Sequence, residues 1–151
     1  MTFSLSTLRS GIDTYLKNTV FPGQKVYKQA VADTTILQTD SAGVVKPYVS
    51  YALGDLQQWG STSMIGARGD DYVLPLYLKI VVPGSDAGIL IGEALYDRCI
   101  DLFLGHKFTA SGAVRKRAGG SQFPLTKADG ATEAIVYPVS FGIVTQLRTT
   151  A

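Results

Sequence analysis

The chain has 151 residues, a length suited to one domain, and a chain of that size hides about 68–70% of its unfolded surface on folding. Its 46% hydrophobic residues against 17% charged exclude a disordered, charge-rich polypeptide. Fourteen basic and twelve acidic side chains leave a net charge of +2, too little to bind nucleic acid by bulk attraction, so any electrostatic role falls to local clusters. With one cysteine, Cys99, and one histidine, His106, neither an internal disulfide nor a Cys/His zinc site can form within one chain.

Met1-Thr2-Phe3-Ser4-Leu5 lacks the basic start and apolar run of a secretory signal, and no run approaches ~18 apolar residues. The expectation is a protein made and used, or assembled, in the cytoplasm, with no membrane partner.

A first helix begins at Ser4 or Ser6 as N-cap. Leu5, Leu8, Ile12, Tyr15 and Leu16 form one narrow apolar stripe, and Arg9, Asp13 and Lys17 line another face at four-residue spacing. β-branched Thr19 and Val20, then Pro22-Gly23, stop it beyond Asn18. So narrow a stripe packs on one layer, which places this helix on a sheet.

Gln24 to Val31 alternates enough for a strand, with Lys25 and Lys28 polar. Thr34 to Gln38 and Val44 to Leu53 flank a turn ending in Gly43, predicting a hairpin, and Pro47 predicts an edge or bulge near the second strand's start. Gly60 to Asp71 holds three glycines and no periodicity, which predicts a long mobile loop. Tyr72 to Val82 is the strongest strand, with Leu74, Leu76, Leu78, Ile80 and Val82 on one face. Pro83-Gly84-Ser85-Asp86 ends it and caps a second helix, Ala87 to Leu104, which Gly105 terminates in the left-handed conformation.

On that helix Ile91, Leu102, Leu95, Cys99, Gly92, Phe103, Tyr96, Ile89 and Ile100 cover nearly half the circumference, with Gly92 allowing close approach to the sheet. The remaining face carries Glu93, Asp97 and Asp101, with Leu90 among them. From His106 to Lys127 the chain holds five basic residues and no acid, and glycines bracket Arg115-Lys116-Arg117. A last strand puts Ile135, Tyr137, Val139, Phe141 and Ile143 on one face, with Pro138 marking an edge or bulge. The fold class is therefore α+β: a single domain over 1–151 with a mixed, mostly antiparallel sheet, two helices on one face and a β-hairpin extension. Mobile loops are expected near 60–71 and 110–121, and a polar tail at 147–151.

Catalytic patterns are weak. Gly84-Ser85-Asp86-Ala87-Gly88 has the wrong spacing for a serine-nucleophile turn and reads as a turn with an N-cap. No lysine follows Gly92 as a phosphate loop requires. His106 reads as a surface cap at a helix C-terminus, where imidazolium suits the dipole, Cys99 as core, and Asp70-Asp71 as solvated acids. No enzyme, cofactor or metal is expected. Two surface features remain. Glu93, Asp97 and Asp101 read either as a solvated helix back or, with exposed Leu90, as a docking face. Arg115, Lys116 and Arg117 read as solvated charge, a phosphate contact or a salt-bridging arm, and meeting a neighbour's acidic helix head to tail would close a ring.

The helix with Leu8, Ile12 and Leu16 runs into Val20-Phe21-Pro22-Gly23-Gln24-Lys25-Val26-Tyr27. Pro47-Tyr48-Val49-Ser50-Tyr51, a glycine-rich loop, the strand around Leu76 to Val82, Ile91-Gly92-Glu93-Ala94-Leu95-Tyr96 and a late strand through Tyr137 to Phe141 follow. This order resembles the tail terminator proteins of long-tailed bacteriophages, also called tail completion or minor tail proteins, over nearly the whole chain. The resemblance implies a virion protein of the head–tail junction, assembled in the host cytoplasm into a ring, commonly a hexamer. Such a ring caps the head-proximal end of the tail tube, stops its polymerisation and docks the head connector. Its partners are then itself, the tube protein, the connector protein and genomic DNA passing unread through the lumen. A head–tail adaptor and a tail-tube subunit are the neighbouring alternatives. The family brings no catalytic residues. Flexibility alone assigns Met64, Ile65, Arg68, Asp70 and Asp71, with the 112–120 arm, to ring faces or lumen.

Overall fold

The computed structural model describes residues 4–28, 46–58, 71–108, 114–116, 122–126 and 132–146. Two layers make up the fold. Helix α1 (Leu5–Tyr15) continues into a π-helical turn (Leu16–Val20), and α2 (Asp86–Phe103) lies between the two long strands β4 (Asp71–Pro83) and β7 (Thr132–Gln146) in the chain. The shorter strands are β1 (Lys25–Tyr27), β2 (Tyr48–Leu53), β3 (Gln57–Gln58), β5 (Val114–Lys116) and β6 (Phe123–Thr126). They form one seven-stranded sheet in the order β1-β2-β4-β7-β5, with β3 beside β4 and β6 beside β7. Only β1–β2 is parallel among these pairs; the sheet is mixed and mostly antiparallel, as expected.

The alternation read in the sequence sets the face. Leu74, Leu76, Leu78, Ile80 and Val82 of β4 stand opposite Ile143, Phe141, Val139, Tyr137 and Ile135 of β7, and all are buried with Leu8, Ile12, Leu16, Cys99 and Phe103 of the helical layer. Pro83 ends β4, and the two prolines in the strand interiors, Pro75 and Pro138, sit where the outer neighbour changes. Pro138 lies between the β6-paired stretch 132–136 and the β5-paired stretch 141–143. Pro75 lies between positions paired to β3 and to β2. A missing N–H costs least at such a local edge.

Ser4 caps α1, its side chain accepting from the Thr7 N–H at 3.2 Å. Leu5, expected in the buried stripe, is 42% exposed, because it sits in the first turn outside the packed layer. The helix also outlasts its expected stop at Asn18. The chain widens into the π turn, closed by Phe21 N–H to Leu16 O at 2.8 Å, and this brings Leu16, Val20 and Phe21 all into the core. Arg98 of α2 secures the end of that turn, donating from Nε to Val20 O at 2.7 Å and from Nη2 to Thr19 O at 2.8 Å. A cation on orphan carbonyls is favourable by hydrogen bonding and by the dipole. Arg98→Ala is expected to cost about 1–2 kcal/mol in urea unfolding, with faster amide exchange at Phe21 and Gln24. Lysine, a point charge without the planar fork, should recover only part of it.

Strand β1 is shorter than the expected 24–31, and residues 29–31 lie outside the described residues, as do 34–38 and most of the expected hairpin. Of its second arm only Tyr48–Leu53 is described as strand, following Pro47. Val114–Lys116 is a strand, not part of a loop, because Val114 reaches the core beside Ile143. Asp71 likewise opens β4, paired with Gln146, instead of closing a loop. Residues 147–151 lie outside the described residues.

Across α1 and β2 lies a polar contact. Tyr51 Oη donates to Asp13 Oδ1 at 2.9 Å, and Lys17 Nζ stands 3.0 Å from Asp13 Oδ2. Burial alone would raise the Asp13 pKa, but the hydrogen bonds from Lys17 and Tyr51 and the charges of Lys17 and Lys28 outweigh it and hold the carboxyl below its ordinary 3.8. A group with a depressed folded pKa stabilises above its unfolded value and loses that contribution as pH falls through the folded one. Wild-type urea midpoints should therefore fall between about pH 5 and pH 2 more steeply than those of Asp13→Asn. Asp13→Ala, which leaves the Tyr51 hydroxyl without its acceptor, should cost about 1–3 kcal/mol near neutrality.

Candidate functional site

Helix α2 is fixed at both ends and along its inner face. Ser85 caps it, its side chain accepting from the Gly88 N–H at 3.1 Å, and Gly105 leaves it with φ +80°. At Gly92 the helix meets the sheet without a side chain between them: a methyl group there would overlap the Tyr137 ring, lying 2.9 Å from Cζ. The Tyr137 hydroxyl is buried and has no hydrogen-bond partner among the described residues. Burial, with the charge of Glu93 adding to it, raises its pKa. The close approach expected of Gly92 is thus the geometry found.

The outer face of α2 carries the sequence-predicted residues as a group. Leu90 is 69% exposed, and Glu93, Asp97 and Asp101 are all exposed on the same helix. None of the three carboxylates forms an ion pair among the described residues, and Arg98, the base nearest them in sequence, is committed to the carbonyls of Thr19 and Val20. Ile91 corrects the sequence reading. Placed there on the buried face, it is 38% exposed and extends the apolar part of the outer surface beside Leu90. The helix buries a narrower arc than its composition suggests, because only Gly88, Gly92, Cys99 and Phe103 reach full burial.

Arg115 stands on the other side of the molecule. Val114 faces the helical layer, so Arg115, next along β5, faces the opposite side of the sheet, where it is exposed. It is not a free arm: β5 pairs Val114, Arg115 and Lys116 with Ile143, Gly142 and Phe141. Arg117 lies outside the described residues, as do Met64, Ile65, Arg68 and Asp70; of that group only Asp71 is described, in β4. The structure therefore brings Leu90, Glu93, Asp97 and Asp101 together and sets Arg115 on the far face.

The back of the sheet divides in two. Toward one end Tyr48, Val81, Ala134 and Val136 form a small buried cluster that Tyr27 joins, its ring 5.7 Å edge-on from Tyr48. Toward the other end Tyr77 is 45% exposed. Sequence reading passed over Tyr77, although its position out of phase with Leu76 and Leu78 marks it as facing away from the core.

His106 is not an imidazolium cap. Its ring stacks on Tyr15 at 4.0 Å and meets Phe108 edge-on at 4.5 Å, and burial lowers its pKa from 6.5. Tyr15 in turn donates from its hydroxyl to Leu102 O at 2.6 Å. The histidine tightens the junction of α1 with the end of α2. Cys99 is buried as expected, and burial pushes its thiol up to about 12, far from the thiolate that reactivity requires. Among the described residues no group of three His, Cys, Asp or Glu side chains could hold a metal ion, and no helix is long and apolar enough to cross a membrane.

The fold is a single α+β domain of one mixed sheet with two helices on one face. No protein-family model matches the chain, and no curated protein matches it by sequence. Among solved structures, a protein whose name states no activity aligns with 98% of this chain and 99% of its own at a TM-score of 0.55 and 18% identity. At that identity the likeness is one of fold.

Proposed function

We propose that the chain is a structural subunit of a ring that caps the head-proximal end of a phage tail tube, halts tube growth and docks the head connector, with DNA passing through. The observation that carries this reading is the outer face of α2, where Leu90 and Ile91 stand exposed beside three carboxylates on a helix locked from behind. A rigid, partly apolar, one-signed surface is suited to a protein partner. The resemblance of the sequence to the tail terminator family supports the reading. Mechanistically such a ring acts by shape: one face copies the last layer of the tube, and the other offers no seat for a further tube subunit.

The test is to add purified protein to polymerising tail tubes and image them. Tubes of arrested length bearing a cap at one end support the proposal. Unaltered growth without a cap contradicts it, and long tubes formed by the protein itself would make it the tube subunit.

A further inference from the structure

The helical layer ends in two exposed flanks of opposite sign. On α1, Tyr15 reaches toward α2, its hydroxyl on Leu102 O, while Asp13 turns away from it to Tyr51 of β2. The Asp13 side of α1 therefore faces β1, which ends the strand order. Arg9 and Lys28 are both exposed on this flank. The charge of Arg9 acts on the Tyr51 hydroxyl, and Lys28, which follows β1 at the level of Tyr51, helps to keep Asp13 ionised. Lys17 is spent on Asp13, and neither Arg9 nor Lys28 forms an ion pair among the described residues. Leu5, 42% exposed, stands one turn before Arg9 on the same side.

Helix α2 turns the other charge toward the opposite flank. Arg98 binds the carbonyls of Thr19 and Val20, which sets its side of the helix against the end of α1. Glu93, five residues earlier, lies about 140° round the helix from Arg98. Its charge is felt at Tyr137 of β7, a strand that β2 and β4 separate from β1. Leu90, the most exposed large apolar side chain among the described residues, stands one turn before Glu93 and two before Asp97. Each flank thus sets an exposed leucine one turn from charge that no described residue pairs. We propose that the α1 flank of one copy docks on the outer side of α2 of a second copy, Leu5 against Leu90, and Arg9 with Lys28 at Glu93 and Asp97.

Charge selects this occupant. Two α2 faces brought together would set carboxylates against carboxylates, and two α1 flanks would set base against base, whereas α1 on α2 pairs opposite signs around an apolar contact. Within one subunit the two flanks point apart, so they meet only between copies. A contact between two different patches is head to tail and repeats until it closes. The inference rests on the proposed ring and names the surfaces that would join its subunits.

Two single variants, Leu5→Cys and Leu90→Cys, test it, alone and mixed, with a short bis-maleimide, in the presence and absence of tail tubes. Buried Cys99 is shielded from the reagent. The expected result is a crosslinked dimer in the mixture and none with either variant alone. Arg9→Glu combined with Lys28→Glu should weaken self-association about tenfold, and adding Glu93→Lys with Asp97→Lys should restore it. Restoration also shows that the reversed chain folds. If the wild type assembles yet crosslinks form only between identical cysteines or not at all, or the added reversals restore nothing, this pairing is overturned while the ring stands. A wild type that stays monomeric alone and on tubes removes both.

Discussion

Truncating Phe103 to alanine is expected to destabilise the protein by about 3–5 kcal/mol, the largest single effect we assign. Phe103 is fully buried where the last turn of α2 meets both layers. Its ring stacks on Phe141 of β7 at 5.0 Å, takes the edge of Tyr15 of α1 at 5.4 Å, and lies 6.1 Å from Phe108. Removal opens a cavity that these rings, each held by another neighbour, cannot collapse into. For a chain of this size the melting temperature should fall by roughly 6–20 °C. Leu104→Ala, one residue on but 42% exposed, should change stability by less than about 0.5 kcal/mol. Calorimetry on the pair separates lost packing from any general sensitivity of this segment.

Gly88→Ala is expected to destabilise as well, against its helix propensity. Alanine should gain about 1 kcal/mol over glycine inside a helix. Here a methyl would overlap the Pro83 carbonyl oxygen and fall 2.7 Å from the carbonyl carbon. That oxygen already accepts the Ser85 N–H at 2.9 Å, and Pro83 is itself in register with Ala134 of β7. Backbone held on two sides cannot give way, so the helix must lift from its cap, at a net cost of about 2–3 kcal/mol. Gly11→Ala supplies the contrast. The nearest atom to its methyl would be Phe108 Cδ1 at 3.8 Å, an ordinary contact, so this substitution should stabilise by about 0.4–1 kcal/mol. Urea denaturation of both variants reads the difference in sign.

The elements legible in the sequence are those in which one period persists. In Leu74 to Val82 and Ile135 to Ile143 every second residue is apolar, and both run as long strands with those residues inward. The Ser85 cap and the Gly105 stop bound α2 as read. Three short strands escaped, because Gln57–Gln58, Val114–Lys116 and Phe123–Thr126 are too short to show a period and exist through pairing with β4 or β7. The π turn escaped for a related reason: Thr19 and Val20 lower helix propensity, and what holds them is Arg98, distant in sequence. The acidic side of the site was legible from four-residue spacing on α2. Its apolar part was half legible, since which side of Ile91 meets solvent depends on how closely Gly92 lets the helix sit. The outward phase of Tyr77 was readable from alternation, but its neighbours across the sheet, Ala52 and Ser140, depend on strand register, which no local pattern carries.

In the proposed function, identical copies of this chain join into a closed ring on a tail tube. Native mass spectrometry of the protein, alone and after incubation with purified tail tubes, tests this most directly when paired with images of the tube ends. The expected result is one discrete oligomer, a hexamer by the resemblance to tail terminators, found at a single end of each tube. A chain that remains monomeric in both conditions, with bare tube ends, would contradict it.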